Sequence, residues 1–133
     1  MIRYLLDTDF CIHAIRKRTK SVEVFLREHA HVAALSDITL YELYFGAESY
    51  AEPETRLAVI DEFAAQFPTL PFNTESARHA GKIRATLEAQ GLVIGNLDIL
   101  IGAIARAENL VLVTGNVREF TRIDKLKTLD WRA

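Results

Sequence analysis

The sequence has one cysteine, Cys11. One thiol closes no internal disulfide and builds no cysteine-based metal site, and the expectation is a reducing, cytoplasmic setting. No apolar run approaches the ~20 residues that a membrane helix needs, so no membrane is expected as a partner. The opening residues carry no secretory pattern of basic, apolar and small-residue segments. Neither charge is in excess: 16 Lys and Arg stand against 18 Asp and Glu, for a net charge of -2. That balance excludes coating nucleic acid by bulk charge, though it leaves room for a local basic patch. Repeats, low-complexity tracts and linkers are absent too. The 133 residues therefore read as one domain, 1–133, with a real core.

What is present is alternation. Ile2 to Leu6 is a short, nearly continuous apolar run that stops at Asp7, as buried parallel strands do. Phe10, His13 and Ala14 follow at helical spacing, with Asp7 or Asp9 as cap. A second helix spans Ser21 to Ala30, and Val32 to Ser36 is a second strand. Thr39 with Glu42 three residues on carries the capping-box signature, placing Glu42 in the first turn of a helix. Pro53 opens a helix over Glu54–Phe67. Thr69 to Phe72 is a short strand, at an edge because of Pro71. Asn73 or Thr74 caps a helix to Gln90, stopped by Gly91. Asn96 caps an apolar, buried helix carrying Asp98. Leu110 to Thr114 is the clearest strand, Val117 to Phe120 one helical turn, and Lys125 to Asp130 a last edge strand. Strands alternating with helices predict a three-layer α/β/α domain around a mainly parallel sheet.

Asp7, Glu42 and Asp98 each fall just after a strand or early in a helix, and Asn116 and Glu119 follow the clearest strand in the same way. In a parallel sheet such points open on one edge. Carboxylates gathered there repel unless a cation neutralises them, and Mg²⁺, an oxygen-seeking ion, suits the task. Each residue also has a plainer reading: Asp7 as a helix cap, Glu42 as a capping-box member, Asp98 as a complement to the helix dipole, Asn116 as a turn residue. The basic run from Arg16 to Lys20 reads as a solvated face or as a contact for RNA phosphates. Tyr41, Tyr44 and Phe45 read as core, the alternative being a groove for a peptide or a second copy. His29 and His31 read as surface residues, and no histidine triad is visible.

Four segments, in order, resemble the motifs of the PIN-domain ribonucleases, and specifically the VapC toxins of type II toxin–antitoxin systems. They are Leu5-Leu6-Asp7-Thr8-Asp9, Ser36 to Gly46, Ile94 to Ala103, and Val113 to Ile123; Leu129-Asp130-Trp131 is similar to the family's usual ending. The resemblance implies a PIN-like fold and a Mg²⁺-dependent endoribonuclease in which Mn²⁺ substitutes. It assigns Asp7 and Asp98 as the principal metal ligands and Glu42 as a third. Where the family often has a fourth aspartate this chain has Asn116, so either Asn116 completes the site through a metal-bound water or Glu119 is the nearby carboxylate that contributes instead; Asp9 stands where asparagine is usual. Thr8 and Thr39 would orient the acids. The resemblance also implies tRNA as substrate, with initiator tRNA cut in the anticodon region. It further implies a VapB-type antitoxin, toxin homodimers, toxin–antitoxin hetero-oligomers, and DNA contact only through the antitoxin.

Two other functions fit parts of the pattern. A haloacid-dehalogenase-type phosphatase also opens with an apolar strand and Asp-x-Asp, and would use Asp7 as nucleophile. Cys11 and the late Val-Thr-Gly-Asn segment fit it poorly. A non-catalytic PIN-like partner of a DNA-binding antitoxin is the other, and retention of Asp7, Glu42 and Asp98 argues against it.

Overall fold

The computed structural model describes residues 1–133. Its five strands are β1 (Tyr4–Leu6), β2 (Ala33–Ser36), β3 (Thr69–Leu70), β4 (Val111–Val113) and β5 (Lys127–Leu129). They form one sheet in the order β3-β2-β1-β4-β5, with every neighbouring pair parallel. The helices are α1 (Thr8–Arg16), α2 (Lys20–His29), α3 (Asp37–Glu48), α4 (Pro53–Ala64), α5 (Thr74–Ala89), α6 (Asn96–Ala107) and the single turn α7 (Val117–Phe120).

Side chains alternate across a strand, and that alternation splits the core in two. Tyr4, Leu6, Ala33, Leu35 and Val113 face a cluster with Phe10, Val22, Phe25, Leu43, Ile60 and Phe63 from α1 to α4. Leu5, Ala34 and Leu112 face the other way, onto Ile83 and Leu87 of α5 and Ile101 and Ile104 of α6. The three-layer expectation is met. Strand β1 is central because both its faces are covered; Leu5 and Leu6 are completely buried, each worth about 1.5–3 kcal/mol by removal from water.

The order of strands matters for function. From β1 the chain builds outward through β2 to β3, then crosses back to place β4 and β5 on the other side. The strand order thus reverses between β1 and β4. A crevice opens beyond the carboxyl ends of strands at such a reversal, and ligands of open parallel sheets bind there.

Several local expectations change. Thr39 does not cap α3: Ser36 does, its Oγ accepting from Thr39 N at 3.0 Å. The helix therefore starts earlier, and Glu42 belongs to its second turn. Asn96 does not cap α6; it is the first helical residue, and Gly95 precedes it without a side-chain bond. Val32 lies in a 3₁₀ turn, Ala30–Val32, rather than in the strand. Helix α4 ends at Ala64. Gly91 does follow α5, at φ +70, a left-handed conformation that glycine adopts without steric cost. Tyr41 and Phe45 are not core: they are 58% and 71% exposed on the outer face of α3. Tyr44, half-buried, packs against the core's edge and donates its hydroxyl to Asp61 at 2.6 Å. Helical spacing alone does not say which face of a helix meets the sheet. His29 is not simply a surface residue, since its ring lies 4.9 Å from that of Tyr4 and 4.8 Å from that of Phe25.

Candidate active site

Asp7 ends β1 at the β1/β4 crevice. Its backbone N donates to Val113 O at 3.0 Å, which ties it to the neighbouring strand. Its side chain caps α1, Oδ1 accepting from Phe10 N at 2.8 Å. The residue that caps α1 is therefore also one that lines a pocket at this crevice. Asp7 is only 4% exposed, and burial pushes its carboxyl up to about 7. The Thr114 hydroxyl and the Phe10 N–H pull it part of the way down, while Asp9 and Asp98 push it further up.

Asp98 comes from the first turn of α6. Because α6 precedes β4 and runs back across the sheet, its start lies at the carboxyl edge of the strands. Burial raises the Asp98 carboxyl to about 6, and the charges of Glu42 and Glu119 add to the effect. Asp7, Thr8, Asp9, Asp98, Gly115, Asn116 and Phe120 line one pocket of about 400 Å³.

Glu42 reaches this region from α3 through hydroxyls. Thr8 Oγ1 donates to Glu42 Oε1 at 2.6 Å, Thr8 and Thr39 hydroxyls stand 3.1 Å apart, and Ser36 Oγ donates to Thr39 Oγ1 at 3.3 Å. Each hydroxyl has one proton. Thr8 spends its proton on Glu42, so Thr39 must donate to Thr8 and Ser36 to Thr39. The chain of donors points one way and ends on the carboxylate, and members of such a chain polarise one another. Ser36 and Thr39 are completely buried. Replacing Thr39 by the isosteric valine strands the Ser36 proton and removes the donor to Thr8. The expected loss is about 1–3 kcal/mol, read as a lower urea midpoint at unchanged slope.

Asn116 and Glu119 follow β4. The Asn116 amide donates to Glu119 Oε2 at 2.7 Å, and Asn116 N donates to Thr114 Oγ1 at 2.9 Å. Of the two, Glu119 is the one whose charge is felt by Asp98; Asn116 lines the pocket and orients Glu119. No residue spacing singles out Thr114, Ser36 or Arg132. Thr114 follows β4 and Ser36 is the last residue of β2, so their positions at strand ends were the available signal.

Asp7, Glu42 and Asp98 do not converge into a three-carboxylate cluster. No three His, Cys, Asp or Glu side chains stand in a metal-holding group, since Asp7 turns back onto α1 and Glu42 is drawn to Thr8, lining a separate groove of about 1050 Å³. The donor set still fits a hard divalent cation. Every donor is oxygen. None of Asp7, Glu42, Asp98 and Glu119 has an ion-pair partner, the charge pairs of the protein using other acids. Buried or partly buried carboxylates without counter-ions are costly. Mg²⁺ needs only one or two protein carboxylates and completes its octahedron with water and substrate phosphate.

Comparison with known proteins gives a consistent result. Residues 4–126 match the PIN domain. The chain is 40% identical over 131 residues to "Ribonuclease VapC2" of Haemophilus influenzae, covering 98% of this chain and 99% of the relative. It is 39% identical over the same shares to "tRNA(fMet)-specific endonuclease VapC" of Shigella flexneri. In three dimensions it is similar to the crystal structure of DNA-bound VapBC from Salmonella typhimurium, with a TM-score of 0.95, 37% identity, and 98% and 99% of the two chains covered.

Proposed function

The chain belongs to the PIN-domain family, among its VapC ribonucleases, and from this premise we propose that it is the toxin of a type II toxin–antitoxin pair that hydrolyses tRNA with the help of Mg²⁺. Initiator tRNA is the substrate this reading favours, because a relative of 39% identity is named for that specificity. The observation that carries the metal dependence is the pair Asp7 and Asp98. Both carboxyls are held well above their usual range, at about 7 and about 6, and line one pocket without an ion-pair partner.

In this mechanism Asp7 and Asp98 would hold the ion, with Glu42 as a third oxygen donor. A divalent cation there supplies neutralisation of phosphate charge and a water of lowered pKa. The protein's own part is positional. Asp7 is fixed by the Phe10 N–H and by the tie of its backbone to Val113. Glu42 is fixed by the hydroxyl chain from Ser36. Glu119, braced by Asn116, adds negative charge beside Asp98. No histidine is needed as base. Single-stranded loops are where proteins read RNA by sequence, and an open crevice at a sheet edge suits an anticodon loop.

A VapB-type antitoxin is the partner of this reading, with any DNA contact made through it, and a toxin homodimer accompanies it. Tyr41 and Phe45, exposed on α3, offer aromatic surface of the kind enriched at interfaces. No helix is long and apolar enough to cross a membrane.

The test is cleavage of purified tRNA by the chain freed of antitoxin, with Mg²⁺ or Mn²⁺ and with a chelator. Cleavage only with the ion is expected. Cleavage that persists under chelation would overturn the metal-dependent reading. Release of phosphate from a monoester instead would revive the phosphatase.

A further inference from the structure

We propose that Arg132 is a positioning residue for the substrate, its guanidinium gripping an RNA phosphate at the rim of the Asp7–Asp98 pocket. The proposal rests on the nuclease reading above.

Arg132 is pinned from several sides. Its Nε donates to Asp130 Oδ1 at 3.2 Å, and Nη2 donates to Gly115 O at 2.7 Å and to Asp130 Oδ2 at 3.3 Å. Its backbone N donates to Asp130 Oδ1 at 2.9 Å. The neighbouring Trp131 is buried, 5.0 Å from the Phe10 ring and 5.5 Å from the His13 ring, both edge-on. The Arg132 guanidinium carbon lies 5.0 Å from the Trp131 ring centre. A long side chain that would ordinarily sweep through solvent is thus held in one place.

That place is the pocket rim. Gly115 lines the pocket with Asp7, Asp9 and Asp98. A β-carbon on Gly115 would stand 2.6 Å from Asp9 Oδ2 and 2.8 Å from Arg132 Nη2. The missing side chain lets a carboxylate and a guanidinium stand on either side of one backbone position. The charge of Arg132 accordingly feels Asp9 and Asp7 as well as Asp130.

A guanidinium has five N–H donors. The bonds to Asp130 and Gly115 use Nε–H and the two on Nη2, and the two on Nη1 have no protein partner. A purely structural clip needs only the bonds already made. The unused donors, on a half-exposed side chain, are the part that a ligand would take. RNA approaching a pocket of carboxylates is repelled by it, and a fixed cation at the rim offsets that repulsion for one phosphate. Arginine's planar fork matches phosphate oxygens better than a flexible ammonium does.

Kinetics with tRNA and Mg²⁺ over a range of salt test the assignment. Arg132→Gln is expected to raise KM about tenfold with kcat within about twofold, and to flatten the plot of log(kcat/KM) against log[salt] by about 0.7–0.9. Arg132→Lys keeps the salt slope and raises KM about threefold, because charge remains but the fork is lost. Asp130→Asn, which loosens the arginine without removing it, raises KM and leaves the slope alone. Unchanged KM and slope in Arg132→Gln would overturn the proposal. So would a fall in kcat and thermal midpoint at unchanged slope, which marks a structural clip. RNA binding is measured in parallel by filter retention of wild type and Arg132→Gln. If wild type cleaves no RNA, the nuclease reading fails by itself. Weaker retention of RNA by Arg132→Gln, with a flatter dependence of retention on salt, would then still sustain the contact, and equal retention would sink it.

Discussion

Asp7→Asn is expected to abolish RNA cleavage and, in the metal-free protein at pH 8, to raise stability. The activity loss should reach about a thousandfold or more, since a cation's charge stabilisation is worth several kcal/mol. The gain in stability follows from burial. Asp7 titrates near 7 in the folded chain, against 3.8 for an unperturbed aspartate. The folded state therefore binds the Asp7 proton more tightly than the unfolded state does. Stability is greatest below the unfolded value and is lost as pH rises from about 4 through 7. By pH 8 nearly the full penalty is in place, roughly 3–5 kcal/mol. Asparagine carries no charge to bury and still offers an oxygen to the Phe10 N–H, so the start of α1 survives the change. Urea titrations in chelator at pH 5 and pH 8 read the trend: Asp7→Asn is ahead by about 1–2 kcal/mol at pH 5 and by more than twice that at pH 8. Added Mg²⁺ should then stabilise wild type and leave the variant unmoved, because only wild type gains a ligand. A variant that cleaves RNA, or one less stable than wild type at pH 8, would remove Asp7 from the site.

The same residue shows how much the sequence disclosed. A short apolar run ending in an acid is enough to place Asp7 at the edge of a parallel sheet, and alternation of strands and helices is enough for the three layers. Asp98 follows from the same logic, because a helix that returns to feed β4 must start at that edge. What sequence spacing did not disclose is which hydroxyl caps α3. Thr39 with Glu42 fits the capping-box pattern as well as any pair, yet Ser36 takes the cap, because its backbone is already extended at the end of β2. That one-turn shift changes the meaning of Glu42. In a capping box its carboxylate would be spent on the helix's own backbone; here it is free to take the Thr8 hydroxyl and to act on Asp98. Tyr41 and Phe45 failed for a related reason. Tyr41, Tyr44 and Phe45 fit one helical stripe, but α3 meets the sheet layer through Leu43 and Ala47. Arg132 was invisible for a different reason: its place at Gly115 depends on β5 lying beside β4, a pairing that no local pattern encodes.

The affinity for a divalent cation should fall steeply below neutral pH. Both principal carboxyls must lose their protons before they can hold the ion, so metal and protons compete for one pair of groups. With Asp7 near 7 and Asp98 near 6, both are largely ionised at pH 8. At pH 5 only about one Asp7 in a hundred and one Asp98 in ten are ionised. Acting together, they predict an affinity lower by about two to three orders of magnitude at pH 5 than at pH 8. Carboxylates at their ordinary values would be almost fully ionised over that whole range and would give a nearly flat profile. Calorimetric titration with Mn²⁺ in buffers from pH 5 to pH 8 makes the measurement, and it also counts protons: between the two values, binding should release close to one proton, and below both it should release close to two. Asp98→Asn should halve the steepness below pH 6 while leaving the Asp7 step. A flat affinity with no proton release would mean that the ion is held by other groups, and that the burial of Asp7 serves the start of α1 alone.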